Sequence, residues 1–465
     1  MAFLVGGANS AVSGYDIDNS CRFKASDKGY LSITPGGAGN QKTWTFSCWF
    51  KRSDTTSSMN LFTAGADVNN RCHLDINASG TFQVEAKNSG TEVLKCEGGM
   101  NLRDPSAWMH LVWRVDTTDG VAANRSRVYI NGDLVTFSSN SYPDQNTDMA
   151  VNDDVLHTIS RRTWEDSNYF DGYITEAAVI DGTSLAPSTF GETDEASGIW
   201  KPKEFKDDVT FGTNGFYLEF KETGTSQNSS GIGADTSGED NHWAVVSDLN
   251  SRDIQTDTPT NNFCTLNPIG GTTSSGKWTF SDGNLQLSQN DDREWRTTGS
   301  TMAVSKGKWY WEVTFAAGTM TEIMVGVHDT SVSIEGVQRW VTGSALFYNH
   351  TGGEVRIDGT DTTADYGVLT AGDILGIALN MDDDQITLYD NGSAIVSNFS
   401  IGSNINEAMP TFISDSNDVT YKVNFGNPIT TISSSQADDN GYGNFEYDVP
   451  TGYYALCTKN LAEFG

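Results

Sequence analysis

Basic residues are scarce in this sequence of 465 residues. It contains 29 Lys and Arg against 61 Asp and Glu, which gives a formal net charge of −32. A surface this acidic repels nucleic acid and anionic lipid, because both carry dense negative charge. No cluster of Lys and Arg interrupts the acidic background. We therefore expect no nucleic acid among the partners and no insertion into a membrane.

Cysteine and long apolar runs are scarce as well. Six cysteines in a chain of this length are too few for a disulfide scaffold, and no pair has C-x-x-C spacing. We expect mostly buried free thiols, and one disulfide between Cys72 and Cys96 is the alternative. No apolar stretch approaches the length of a membrane span. Residues 2–5 are apolar, but the run is too short for a signal peptide.

Aromatic residues and glycine are abundant instead. The chain has 12 Trp, 16 Tyr, 22 Phe and 47 Gly, which is typical of strands joined by polar turns. Apolar residues alternate with polar ones with a period of two, as in residues 44–50, which predicts a half-buried strand. Asn131-Gly132 and Asn391-Gly392 each follow an aromatic strand end and predict type I′ hairpin turns. These patterns predict an all-β protein.

The composition of the sequence changes between two all-β regions. Residues 226–262 are rich in Gly, Ser and Asp and predict a connector. Residues 215–220 read as a strand that returns to the first domain as an edge strand. The expected organisation is an N-terminal segment suited to docking on a particle (1–27), a first sandwich (28–225), the connector (226–262) and a second sandwich (263–465).

Each half carries motifs of a known family. In the first half, the segments 108–112, 128–132 and 170–174 resemble the laminin-G-like branch of the concanavalin A-like lectin sandwiches. In the second half, the segments 307–313, 325–327, 372–376 and 423–426 resemble a SPRY domain. Both families have a curved jelly roll of two sheets, so the resemblance implies two jelly-roll β-sandwiches in tandem.

The tandem itself, with the stretches 256–260, 266–268 and 455–461, resembles virion-associated proteins of tailed bacteriophages, often described as tail-fibre or adhesin-like. This resemblance implies a virion protein, assembled in the host cytoplasm, that binds a host cell-surface glycan or protein without enzymatic activity. It also implies contacts with other capsid or tail proteins and a homo-oligomer, for which we favour a trimer. The alternative is a capsid or tail decoration or fibre protein whose role is purely structural protein contact.

The sequence offers little for catalysis. A glycanase built on a sandwich needs two carboxylates at a fixed separation across the scissile bond. Glu446 and Asp448 have alternate spacing, but Pro450 takes the next position on that face. Serine-nucleophile, phosphate-cradling and helical zinc motifs are absent from the sequence. We expect no catalytic residues and no enzymatic activity.

One aspartate cluster and one aromatic segment are the candidates for binding. Asp382-Asp383-Asp384 could hold a structural calcium ion, as could a site in the first domain, although a charge run in a turn is also simply solvated. No other cofactor is expected. The segment 338–350 offers stacking faces and directional hydrogen bonds, which suit a sugar. The predicted ligand-binding residues are Arg339, Trp340, Tyr348, Asn349 and His350. The alternative places Trp340, Phe347 and Tyr348 in strands that line the core.

Overall fold

The computed structural model describes residues 14–271, 278–289, 295–318, 321–333, 341–350, 352–362, 364–415 and 418–465. The chain forms two compact units, which divide between Thr260 and Asn261. In the described residues, regular structure consists of 33 strands, five short 3-10 turns and one α-helix. The expected all-β class is therefore confirmed.

The strands of the N-terminal unit are β1 (Ser20–Phe23), β2 (Tyr30–Ile33), β3 (Thr43–Arg52), β4 (Met59–Asp67), β5 (Asn70–Ile76), β6 (Phe82–Asn88), β7 (Thr91–Gly98), β8 (Met109–Asp116), β9 (Ser126–Ile130), β10 (Asp133–Leu134), β11 (Ser139–Ser141), β12 (His157–Ile159), β13 (Gly172–Asp181), β14 (Gly191–Thr193), β15 (Trp200–Pro202), β16 (Phe216–Leu218), β17 (Ala244–Val246) and β18 (Ile254–Gln255). Its 3-10 turns are Ala25–Asp27, Ala122–Asn124, Pro187–Thr189, Lys206–Asp208 and Ser251–Asp253.

Two large sheets enclose the core of this unit. The first has the order β10-β9-β8-β3-β13-β1-β18, with β16 also paired to β13. The second has the order β11-β7-β6-β5-β4-β12-β2-β17. The alternation in β3 explains the packing, because Trp44, Phe46, Cys48 and Phe50 face the core. Trp49 points to the other side of the sheet, where it packs in a separate cluster.

The predicted connector is wrong, because residues 226–260 are part of the N-terminal unit. Within this stretch β17 pairs with β2 and β18 pairs with β1, both antiparallel. Trp243 is fully buried in the core. Polar composition suggested a linker, but the segment is held by backbone pairing that composition does not report. The edge strand expected in residues 215–220 is confirmed, since β16 pairs with β13.

The N-terminal boundary is also corrected. β1 lies inside the first sheet between β13 and β18, so residues 20–23 belong to the sandwich rather than to a docking segment. Residues 1–13 of the predicted segment lie outside the described residues. A strand this short carries too weak a periodic signal to be recognised from the sequence.

The strands of the C-terminal unit are β19 (Leu266–Gly271), β20 (Thr279–Ser281), β21 (Gln286–Gln289), β22 (Arg296–Ser300), β23 (Lys308–Ala317), β24 (Ile323–Asp329), β25 (Ser344–Asn349), β26 (Glu354–Ile357), β27 (Thr360–Asp361), β28 (Ile374–Asn380), β29 (Gln385–Asp390), β30 (Ser393–Ser400), β31 (Ala408–Ser414), β32 (Val419–Asn424) and β33 (Tyr454–Ala455). They are followed by the helix α1 (Thr458–Phe464).

This unit is also built from two facing sheets. One has the order β19-β22-β31-β24-β25-β26-β27, and the other has the order β20-β21-β32-β23-β28-β29-β30, with β33 parallel to β23. Trp309, Trp311, Val313 and Phe315 of β23 alternate into the core between the sheets, as the period of two predicts. The chain then continues past β32 and ends in α1.

Two local predictions are confirmed. Asn131 and Gly132 have φ of 49° and 85°, and Asn391 and Gly392 have φ of 47° and 78°, as type I′ turns require. All six cysteines are buried and free. The alternative disulfide between Cys72 and Cys96 is therefore wrong.

Candidate ligand-binding site

The predicted binding segment of the C-terminal unit is mostly interior where the structure describes it. Arg339 and Trp340 lie outside the described residues. Tyr348 is 2 % exposed, and the guanidinium carbon of Arg356 lies 4.3 Å from the centre of its ring. Asn349 is fully buried, and its amide exchanges two hydrogen bonds with the backbone of Leu369. These two side chains stabilise the unit and do not present free surfaces to a ligand.

Of the predicted binding residues that the structure describes, His350 is the most exposed. Its side chain is 40 % exposed, and Nε2 lies 3.0 Å from a carboxylate oxygen of Glu322. Its ring stacks on that of Tyr348 at 5.0 Å between centroids, and the Tyr348 hydroxyl also donates to Glu322. The alternative prediction, which placed the aromatic residues of this segment in core strands, is therefore correct for Phe347 and Tyr348, since both are buried. Ligand binding at this segment stays a prediction.

The acidic candidates occupy structural positions. Asp382 to Asp384 form the turn between β28 and β29, and the Asp382 carboxylate accepts a hydrogen bond from the backbone of Gly307 at 2.8 Å. The Glu446 carboxylate accepts one from the backbone of Ser433 at 2.7 Å. Across the part of the chain that the structure describes, no group of three or more His, Cys, Asp or Glu is arranged to hold a metal ion.

A polar surface of the N-terminal unit brings more functional chemistry together. On β5, Cys72, Leu74 and Ile76 face the core, so the alternate residues point away from it. The strand register places Thr63 and Glu85 on either side of His73, and Asn60 beside Asp75. We call this surface the polar face; its members are Asn60, Thr63, Arg71, His73, Asp75 and Glu85.

Residues 161–165, which we call the covering loop, pack on the polar face. Arg162 donates two hydrogen bonds to Asp75, one of them at 2.9 Å, and a further one to Glu165. The Trp164 ring lies 5.0 Å from the His73 ring and 4.4 Å from the guanidinium carbon of Arg71. Trp164 and Arg162 are partly exposed, whereas His73 and Asp75 are buried. The loop therefore presents an indole and a guanidinium at the surface, above buried polar groups.

An ion pair and a hydrogen bond hold the charged groups of the polar face in place. Arg71 donates to Glu85 at 2.6 Å, and the Asn60 amide donates to Asp75 at 2.7 Å. Burial raises the pKa of Asp75, against the lowering effect of the Arg162 charge. Burial lowers the pKa of His73 to about 3, so its imidazole is neutral at ordinary pH. A neutral imidazole has one donor and one acceptor nitrogen.

Several buried polar atoms of this region have no hydrogen-bond partner among the described residues. They are the two ring nitrogens of His73, Oγ1 of Thr63 and of Thr163, Nε of Arg71 and Oδ1 of Asn60. The Nε2 atom of His73 lies 3.6 Å from Asp75, which is too far for a hydrogen bond. Unsatisfied buried polar groups cost free energy, so their concentration at one place indicates a site for water or ligand.

Sequence reasoning missed the polar face. Its signal was present as the alternation Arg71-x-His73-x-Asp75, which is opposite in phase to the apolar residues of the same strand. Nothing in the sequence indicates that residues 161–165 pack on this strand, because Asp75 and Arg162 are 87 positions apart in the chain.

Two family models match separate parts of the chain. Residues 25–187 match the model described as the concanavalin A-like lectin/glucanases superfamily. Residues 308–428 match the model of the SPRY domain. The chain thus carries a concanavalin A-like domain and a SPRY domain in tandem. A search of curated protein sequences gives no match.

Solved structures resemble parts of the chain at low identity. The SPRY domain of human HERC1 is 16 % identical, with 34 % of this chain and 96 % of that chain covered and a TM-score of 0.29. A heptameric SAP-like pentraxin from Limulus polyphemus is 14 % identical, with 37 % of this chain and 80 % of that chain covered and a TM-score of 0.29. Of the helices in the described ranges, none has the length and apolar character needed to span a membrane.

Proposed function

We propose that this protein binds a surface glycan without cleaving it, and that the polar face with its covering loop is the binding site. The observation that carries the proposal is the group of buried polar atoms, on the polar face and in the covering loop, that have no hydrogen-bond partner within the described part of the chain. The group includes donors, such as Arg71 Nε, and acceptors, such as Asn60 Oδ1. A sugar hydroxyl donates and accepts at once, whereas an anion only accepts and an ammonium only donates. The mixture therefore favours a hydroxylated ligand.

The surface above these atoms has the groups that bind sugars in other sites. The partly exposed Trp164 indole offers an apolar face for the C–H side of a sugar ring. Arg162 is 21 % exposed and held by Asp75, so it can donate to hydroxyls without losing its position.

The biological setting belongs to the same proposal. The tandem of the two domains and the stretches 256–260, 266–268 and 455–461 resemble virion-associated proteins of tailed bacteriophages, and this resemblance supports a role as an adhesin on the virion. The glycan is then part of the host cell surface, and capsid or tail proteins are further partners. The absence from the sequence of alternating Glu, Asp and Glu on a strand supports binding without hydrolysis.

A glycan array tests the proposal on the full chain. We expect Trp164→Ala to lower binding to the recognised glycan about fivefold, because an aromatic contact of this kind is worth about 1 kcal/mol. Leu134→Ala is the matched control, since Leu134 is 52 % exposed and belongs to β10 of the same unit. Both variants should keep the melting temperature within a few degrees. Unchanged binding by Trp164→Ala, or no glycan bound by the wild type, would contradict the proposal.

A further inference from the structure

A second polar site in the N-terminal unit is a cavity of about 200 Å³. It is lined by residues from four parts of the chain. These are the start of the described chain, β13, the region where the 3-10 turn Lys206–Asp208 begins, and the residues that follow β16. Its lining residues are Tyr15, Asp16, Ile17, Asp18, Glu176, Glu204, Lys206, Glu219 and Lys221. Eight of these nine residues lie outside the segment 25–187 that matches the concanavalin A-like model. The cavity is therefore an addition to the domain, and the family does not assign it.

Glu176 forms the buried wall of the cavity. It lies in an irregularity of the pairing between β13 and β3, between Thr175 and Ala178, and has φ of 52°. Its carboxylate accepts hydrogen bonds from the Tyr15 hydroxyl at 3.0 Å and from the Tyr217 hydroxyl. Burial raises the pKa of Glu176 to about 7. A carboxyl held this way ionises readily when a cation arrives to compensate its charge.

The two lysines of the cavity are committed to a different carboxylate. Lys221 Nζ lies 2.6 Å from one oxygen of Glu219, and Lys206 Nζ lies 3.2 Å from the other. Burial acts to raise the pKa of Glu219, but the hydrogen bonds from Lys221 and Lys206 lower it overall. Glu219 therefore holds both ammonium groups in ion pairs, and the Lys221 charge acts on Glu176 only from a distance, where it lowers the pKa of that carboxyl.

The remaining charge of the cavity is negative. Five carboxyl groups against two ammonium groups give a formal charge of −3 when all of them are ionised. Asp16, Asp18 and Glu204 are exposed, so they form an acidic rim in front of Glu176. Such a rim attracts cations and repels anions, and it lowers the cost of desolvating a cation inside. A cavity of about 200 Å³ has room for a group of the size of one sugar ring.

We propose that this cavity binds a small primary alkylammonium, with the ammonium hydrogen-bonded to Glu176 and attracted by the acidic rim. The Tyr15 phenol lines the cavity and donates to Glu176, and the buried Tyr217 phenol also donates to Glu176. An amino sugar with a free amine and a simple diamine share this chemistry. The inference does not depend on the polar face, because the two sites have no residue in common.

Isothermal titration of the full chain with three probes tests the ligand class. Glucosamine and putrescine carry the ammonium, and glucose has the same ring as glucosamine with a hydroxyl in its place. We expect at least one amine to bind at neutral pH and glucose not to bind at this cavity. Binding by glucosamine alone narrows the class to amino sugars, and binding by putrescine extends it to alkylammonium in general. No binding of either amine, or equal binding of glucose and glucosamine, overturns the proposal.

Variants locate the site. Glu176→Gln keeps the shape and the capacity for hydrogen bonds but removes the charge, and we expect about a tenfold loss of amine affinity. The exposed rim variant Asp18→Asn with Glu204→Gln should weaken binding and reduce its salt dependence, with no effect on folding. Glu222→Gln is the matched control, because Glu222 is exposed and does not line the cavity. If the Glu176 variant and the rim variant bind the amine as strongly as the wild type, the assignment of the cavity is refuted. Glycan binding at the polar face, which depends on Trp164, should be the same in these variants as in the wild type.

Discussion

Buried histidines should make the N-terminal unit sensitive to acid. His73 and His110 are each 1 % exposed, and His157 is 3 % exposed. Burial lowers the pKa of His73 and His110 to about 3 and that of His157 to about 4. An unfolded histidine has a pKa of about 6.5. Below that pH the unfolded chain takes up protons that the folded unit excludes, so the free energy of unfolding falls as the pH falls.

The decrease in the free energy of unfolding is partly offset by one carboxyl group. Each histidine lowers this free energy by about 1.4 kcal/mol for each pH unit below about 6.5. At about pH 5 the decrease is roughly 2 kcal/mol for one histidine and roughly 6 kcal/mol for three. Glu176, whose pKa is raised by burial to about 7, contributes stability that is present at low pH and lost as the pH rises through about 7. Acidification from about pH 7 to 5 therefore restores roughly 2 kcal/mol through Glu176, because the effect flattens near the folded pKa of about 7 and near the unfolded pKa of about 4.3. The histidine contribution is larger, and the net loss of roughly 4 kcal/mol is a large part of an ordinary domain's stability.

Denaturant titrations at about pH 7 and about pH 5 measure this loss, with hydrogen exchange of β3 and β8 reporting on the N-terminal unit. His110 is held by Ser47 and by the Trp200 indole, and His110→Gln should reduce the pH dependence by about 1.4 kcal/mol per unit. His350→Gln is the control, because that side chain is 40 % exposed. If the unit is as stable at pH 5 as at pH 7, or if His110→Gln leaves the slope unchanged, the reasoning is refuted.

Three further predictions concern the thiols, catalysis and the C-terminal segment. All six thiols should react once the freshly purified protein is denatured and should react slowly before, and fewer than five free thiols would contradict the free state. Incubation with host envelope polysaccharide should leave its chain length unchanged, whereas shortening that is abolished by Glu446→Ala or Asp448→Ala would show a hydrolase. If the segment 338–350 also binds ligand, Trp340→Ala and His350→Ala should lower cell-surface binding with nearly unchanged melting temperature, and binding that persists in both would exclude it.

The fold was readable from the sequence because β-strands have a short repeat. Trp44, Phe46, Cys48 and Phe50 alternate within seven positions, and the structure buries all four. The Asn-Gly turns were readable for a similar reason, since positive φ at two successive residues is a local requirement. Side-chain accessibility was not readable to the same degree. Tyr348 and Asn349 have the chemistry of a binding loop, but β25 places them in the interior.

The sequence by itself determined the all-β class and the local turns, because each depends on residues within a few positions of one another, and the resemblance of each half to a known family indicated the two-domain tandem. Only the tertiary structure decided that residues 226–260 complete the N-terminal unit and that Arg162 packs on Asp75. The tertiary structure also places Glu176 in one cavity with Tyr15, although the two residues are 161 positions apart in the chain. Such contacts form where the sheets bring distant segments together, and no local pattern in the sequence records which segments those are.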